Sequence, residues 1–144
     1  MKRRVLAFGT FDVLHPGHLS YLRQARAHGT HLTVIVARDA SVKNIKLHDS
    51  HFPERERLAL IRSLRLVDSA LLGDHVDHLR LIKKIKPDVI CLGYDHVIRI
   101  ADLRSRLADS GIRGMVIRRM RPYRTSQYKS SVIFSPHGKS SISK

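Results

Sequence analysis

Two histidines, His15 and His18, stand three residues apart with Pro16 and Gly17 between them, directly behind an apolar run that ends at Gly9. Side chains of this type at this spacing can bind a phosphate, cap a helix or ligate a metal. A helix starting here would offer unpaired backbone N–H groups and a partial positive charge, both of which favour phosphate. Each imidazole could then donate a hydrogen bond to the same phosphate group. Protonation would add positive charge as negative charge grows on a leaving oxygen. Pro16 fixes the backbone at the turn, and Gly17 removes a side chain that would block close approach. Metal ligation lacks a third ligand at a matching local spacing. On these residues alone all three roles stay open.

The elements that must position the pair alternate along the chain. The segment 4–10, RVLAFGT, is a short apolar run ending in small residues and reads as a buried strand. From Gly17 to His28 the pattern becomes helical, with Leu19, Leu22 and Ala25 on one face and Gly29 closing it. HLTVIVA (31–37) is a second strand, and 38–52 is expected to be a polar loop. Pro53 suits the first turn of a helix, with Glu54 and Glu56 near its positive end. Leu58, Ile61 and Leu64 form its apolar stripe, with Leu60 at the margin. SALLG (69–73) is the third strand, and DHLRLIKKI the next helix, which Pro87 ends. DVICLG (88–93), a helix over 100–110 and GMVIRR (114–119) complete the pattern. A basic loop over 121–131 follows.

This alternation predicts a doubly wound α/β domain on a five-stranded parallel sheet, spanning 1–134, with 135–144 as a disordered tail. Ligands of such sheets bind beyond the C-terminal ends of the strands, near a switch point. Those ends carry Gly9–Asp12, Ala37–Asp39, Gly73–Asp74 and Gly93–His96. Aspartates close behind small residues suit a phosphate or metal–nucleotide site.

Composition narrows the partners. The 144 residues hold 27 Lys and Arg against 12 Asp and Glu, a net charge of +15, which favours nucleotides, phosphorylated substrates or nucleic acid. The bases are spread along the chain, and no helix-turn-helix spacing, zinc finger or aromatic RNA-binding signature supports the nucleic-acid alternative. No apolar run approaches the roughly 20 residues of a membrane span. The basic N-terminus with its short apolar run is read as the first strand, not as a leader. Cys91 is the only cysteine; it is expected to be a small buried apolar residue in a cytoplasmic protein. Tyr94, Tyr123 and Tyr128 are expected to pack.

GTFDVLHPGH resembles the signature of the cytidylyltransferase-like nucleotidyltransferases, whose H-x-G-H motif it matches at His15, Gly17 and His18. VARD with Lys43 and Lys46 behind it, PERERL, LRLVD, PDVICLGYD and RTSQYKSS follow in the family's order, so the resemblance covers roughly residues 4 to 133. It implies attack of a phosphorylated acceptor on the α-phosphorus of a nucleoside triphosphate, with release of pyrophosphate. By position, His15 and His18 would stabilise the pentacovalent phosphorus, and Gly9, Thr10 and Phe11 would line the nucleotide site through backbone groups. Asp12 would orient the site or help hold the metal–nucleotide. Lys43 or Lys46 would neutralise phosphate, and Arg65 with Asp68 would be a supporting pair. Gly93 and Asp95 would lie near the ribose or base. Arg124, Thr125, Ser130 and Ser131 would contact the triphosphate.

A divalent metal, Mg2+, is implied as a companion of the nucleotide, without a fixed protein site. VARD and LGYD are most similar to archaeal-type FAD synthases, which adenylylate FMN with ATP. RTSQYKSS is similar to glycerol-3-phosphate cytidylyltransferase, which uses CTP, and DASVKNIK to the adenylyltransferase that makes ADP-heptose. FMN is the favoured acceptor. The family also implies a homodimer, for which the helical 53–65 region is a candidate contact. One departure stands out: Pro136 and Gly138 follow the serines closely and would limit any helix there to about one turn.

Overall fold

The computed structural model describes residues 2–46, 49–75 and 77–127, and of 45 and 46 the backbone alone. Five parallel strands form one sheet: β1 (Arg4–Gly9), β2 (His31–Val36), β3 (Ser69–Leu72), β4 (Val89–Leu92) and β5 (Val116–Arg119). Their order is β3-β2-β1-β4-β5, the doubly wound arrangement expected from the alternation. Five helices cover it: α1 (Pro16–Arg26), α2 (Asp39–Lys46), α3 (Glu54–Arg62), α4 (His78–Ile85) and α5 (Ile100–Asp109). None is long and apolar enough to cross a membrane.

Because successive strand residues face opposite sides, β1 feeds two cores. Val5 and Ala7 pack with Leu22 and Ala25 of α1 and Leu58 and Ile61 of α3. Leu6 packs on the other face with Ile82 of α4 and Leu103 and Leu107 of α5. Burial on both faces is why these strands read as continuous apolar runs. Cys91 is fully buried, as expected, and burial pushes its thiol up to about 12.

Two expectations need correction. The 38–52 segment is not all loop, because α2 occupies Asp39–Lys46. Its seating on the sheet uses one fully buried apolar side chain among the described ones, Val42, too little for a visible stripe. In α3, Leu60 is 42% exposed and Arg57 takes a buried place on the stripe instead.

The switch point lies between β1 and β4. Their pairing runs from Val5↔Val89 to Ala7↔Cys91 and stops, while β1 continues beside β2 to Gly9↔Val36. Where β1 and β4 part, the Tyr21 hydroxyl replaces the missing ladder rungs. It accepts from the Phe8 N–H at 3.1 Å and donates to the Cys91 carbonyl at 2.6 Å. In open sheets of this kind the ligand crevice lies here, beyond the C-terminal strand ends, and α1 starts beside it.

Candidate active site

His15 is the N-cap of α1, in extended backbone, with Pro16 as the first helical residue. Its Nδ1 accepts from the Gly17 N–H at 3.1 Å, and Nδ1 of His18 accepts from the His15 N–H at 3.3 Å. The two imidazoles thus form a reciprocal capping box, a task usually given to Ser/Thr and Glu. The rings stack with centroids 3.8 Å apart and planes 24° apart. Since both Nδ1 atoms accept, the proton of each neutral ring sits on Nε2. An imidazolium would need a second proton on the capping nitrogen. Two stacked cations at this separation would also repel by about 4 kcal/mol at an effective dielectric of about 20. Burial lowers the His15 pKa below its usual value, against the opposing charge of Asp95. The pair is therefore built as neutral donors, and the cationic role open to it from sequence is disfavoured by its own cap.

Below the histidines, Gly9 is required by a close approach. A Cβ there would stand 2.6 Å from the ring of Phe11, a buried residue with φ of +52°. That ring meets His18 edge-on at 5.3 Å, so Phe11 supports the motif from the core. Asp12 is buried, and its carboxylate accepts from the His51 N–H (2.9 Å), His51 Nδ1 (2.9 Å) and the Phe52 N–H (3.0 Å). Burial alone would raise the Asp12 carboxyl, but these donors outweigh it and hold it below the usual range. Of its two expected roles, the hydrogen bonds match orientation: Asp12 anchors the 51–52 turn.

Arg57, absent from the sequence expectations, organises the β1–β2 side. It is fully buried, and it donates to the carbonyls of Phe52 (3.0 Å), Thr10 (2.8 Å) and Ala37 (2.7 Å) and to Asp39 Oδ1 (2.7 Å). Asp39 and Glu54 exchange backbone donors, and Glu54 pairs with Arg38 at 3.0 Å. Arg57 and the neighbouring donors outweigh desolvation and keep the Asp39 carboxyl low; the Asp39 N–H does most to lower Glu54. The sequence signal was present: a lone arginine beside Leu58 on the apolar stripe of an amphipathic helix. Lys43 is exposed on α2; Lys46 ends that helix, and its side chain lies outside the described atoms.

On the β4–β5 side a second unforeseen arginine does similar work. Arg119, the last residue of β5, donates to the carbonyls of Gly93 (2.9 Å), His96 (2.9 Å) and Ile98 (2.6 Å). His96 Nδ1 in turn accepts from the Gly93 N–H at 3.0 Å. This fixes the loop that carries the exposed Asp95. Gln24 of α1 clasps both backbone groups of Arg121, at 2.8 and 3.0 Å, as a strand partner would. The tethered segment leads to Arg124, which has φ of +45°, lies over the Tyr123 ring at 5.4 Å and opens a turn through Thr125.

The expected Arg65–Asp68 pair is not formed. Asp68 lies just before β3, at the N-terminal end of the parallel strands and opposite the crevice. There it accepts from the Leu32 N–H at 2.7 Å and faces Arg26 at 3.6 Å. Arg65 is exposed in the same turn. Ser130 and Ser131, with Tyr128 and the 135–144 tail, lie outside the described residues.

A doubly wound sheet with a histidine-capped helix start at its switch point defines a nucleotidyltransferase-like α/β domain. The chain belongs to the cytidylyltransferase-like family, whose model matches residues 6–135. A relative from Methanohalophilus mahii named FAD synthase is 42% identical over 130 residues, covering 90% of each chain. Another FAD synthase, from Methanoculleus marisnigri, is 49% identical over 115 residues, 80% of this chain and 76% of its own length. The crystal structure of a lipopolysaccharide core biosynthesis protein from Thermoplasma volcanium superposes with a TM-score of 0.82 at 41% identity, covering 85% of this chain and 99% of the other.

Proposed function

We propose that this protein adenylylates FMN with ATP, forming FAD and pyrophosphate. The chemistry rests on one observation, the stacked histidine capping box at the mouth of the β1/β4 crevice. The choice of acceptor draws on relatives at 42–49% identity that carry the FAD synthase name. An oxygen of the FMN phosphate attacks the α-phosphorus of ATP. The bond from that phosphorus to the α–β bridging oxygen breaks, and pyrophosphate leaves with the bonding pair. Such a transfer asks mainly for positioning and charge stabilisation.

His15 and His18 supply Nε2–H donors to the equatorial oxygens of the α-phosphate, already oriented by their caps, so little reorganisation is needed as charge develops. Backbone groups of Gly9–Phe11 line the floor. Lys43 and Lys46 meet the acceptor phosphate from the β2 side; Asp95 approaches the ribose or base, and Arg124 and Thr125 the triphosphate. Among the described residues no three His, Cys, Asp or Glu side chains gather as a metal's donor set, and Asp12 is committed to the 51–52 turn. Mg2+ enters as part of the nucleotide substrate, as the family resemblance implies. The reaction is cytoplasmic, and the protein works as a homodimer whose contact includes α3, where Leu60 is exposed. Light scattering that gives a monomer mass would remove the dimer.

Incubation with ATP, Mg2+ and FMN should yield FAD and pyrophosphate in equal amounts. A sugar-phosphate acceptor is the second reading, suggested by the description of the Thermoplasma protein. Turnover of a sugar phosphate or of glycerol 3-phosphate, with FMN inert, would overturn the FMN assignment and leave the nucleotidyl transfer standing.

A further inference from the structure

Phe52 is an exposed aromatic residue beside the C-terminal ends of β1 and β2, without a place in either core. It is 38% exposed and absent from both packed clusters, yet its backbone is fixed on both sides. The N–H donates to buried Asp12, and the carbonyl accepts from buried Arg57 and from Ser50 Oγ at 2.9 Å. The same Arg57 holds the Thr10 and Ala37 carbonyls, so Phe52 is tied directly to the C-terminal ends of β1 and β2. Two buried charged side chains thus immobilise the backbone beneath an exposed ring. A scattered surface phenylalanine has no need of such an arrangement.

The chain has few rings to spend, with no Trp, four Tyr and four Phe. Among the described residues, Phe11 is buried, Phe8 packs against the second core, and the Tyr21 hydroxyl is tied to backbone at the switch point. Tyr94 is half-buried in the loop after β4, and Tyr123 is exposed but lies beneath the Arg124 guanidinium, beyond β5. Phe52 is on the opposite, β2 side. In-line displacement requires the attacking and leaving oxygens to lie on opposite sides of the phosphorus. Under the function proposed above, Arg124 meets the triphosphate on the β4–β5 side, which leaves the acceptor the side of α2 and Phe52.

We propose that Phe52 is the stacking platform for a planar heteroaromatic ring on the acceptor, which under the function proposed above is the isoalloxazine of FMN. Stacking on an aromatic side chain contributes enough to change affinity by about tenfold to a hundredfold. The test is steady-state kinetics and calorimetry on the intact protein with FMN as the probe. Phe52→Ala should raise the KM and Kd for FMN by about tenfold to a hundredfold, with the KM for ATP within twofold. Phe52→Leu should resemble Phe52→Ala, whereas Phe52→Tyr should bind FMN within about threefold of wild type. An FMN affinity indifferent to Phe52→Ala, a leucine variant equal to wild type, or a parallel rise in the KM for ATP would overturn the platform. Should Phe52→Ala not fold, the leucine–tyrosine comparison decides alone, and equal FMN affinities for the two refute the proposal. Wild-type protein that makes no FAD overturns the functional reading beneath it. Wild-type protein that makes FAD but ignores the loss of the ring overturns the platform only.

Discussion

Replacing His15 by asparagine separates the two tasks that its ring combines. Nδ1 of histidine and Oδ1 of asparagine both hang from Cγ, so asparagine can accept from the Gly17 N–H in place of the 3.1 Å bond and keep the cap. Asparagine is also a preferred N-cap, whereas losing a cap altogether costs about 1 kcal/mol. What asparagine cannot supply is a donor at the distance of Nε2, which the capped tautomer protonates. Removing one such donor from a developing oxyanion typically costs about 3–4 kcal/mol, or about 10²- to 10³-fold in turnover. Glutamine gives the mirror image: its amide reaches toward the Nε2 position, but no acceptor is left at Cγ. His15→Asn should therefore unfold in urea within about 0.5 kcal/mol of wild type, with kcat for FAD formation down at least a hundredfold. His15→Gln should lose about 1 kcal/mol of stability and retain more turnover than the asparagine variant. If His15→Asn keeps kcat within threefold of wild type, His15 is a cap alone and the transfer mechanism drawn from it is wrong.

The lowered His15 pKa predicts that its ring stays neutral through the usual histidine range near 6.5. Because the folded value lies below the unfolded one, the ring's contribution to stability is complete above 6.5 and is lost as pH falls through the lower folded value. Turnover should stay flat from pH 8 through 6.5 and fall only on further acidification; a rate that rises with acid would contradict neutral donors. Asp12, Asp39 and Glu54 are held below their unfolded values of 3.8, 3.8 and 4.5, so their stabilisation is present above those values and lost as pH drops through the folded ones. The urea midpoint should decline between pH 5 and 3, with proteolytic cleavage within 38–54 as the early event; an unchanged midpoint would refute this. Arg57→Met strips the buried carbonyls of Thr10, Ala37 and Phe52 of their donor and should cost about 3–5 kcal/mol. Asp39 is 47% exposed and adds little, since water can replace its partner. Arg57→Lys should recover only part, because a point charge cannot span the same acceptors; denaturation that puts the methionine variant within 1 kcal/mol of wild type would remove Arg57 as the hub.

The sheet was legible because its strands are buried on both faces and its helices show regular stripes. The histidine pair was legible because the strand before it and the helix after it leave one place for it, the mouth of a switch-point crevice. What escaped has physical reasons. Helix α2 is short and carries few apolar residues, and its first turn is held by polar exchange between Asp39 and Glu54. Arg119 acts through backbone carbonyls, which leave no trace in side-chain spacing, whereas Arg57 left one signal, its place on the apolar stripe of α3. The Arg65–Asp68 expectation came from the family resemblance, and Asp68 instead faces the Leu32 N–H and Arg26. Asp68 precedes β3, so it had to fall on the side away from the crevice.

The excess of positive charge takes on a different meaning in this light. Parallel strands bring their last carbonyls together at one edge, and in open sheets that edge is where ligands bind. Here many of those carbonyls are capped by guanidinium groups: Arg57 on Thr10 and Ala37, Arg38 on Gly73, Arg119 on Gly93. Each cap removes an acceptor that would face an incoming phosphate, while Asp39 and Glu54 balance the charge of Arg57 and Arg38. Arginine suits this work, since its planar fork serves several acceptors and stays charged when buried. Carboxylates at the same edge are tied down in turn, Asp12 to the 51–52 turn and Asp39 to Arg57. Three of the 27 Lys and Arg are thus architectural, occupying carbonyls that would otherwise face an anion at this edge.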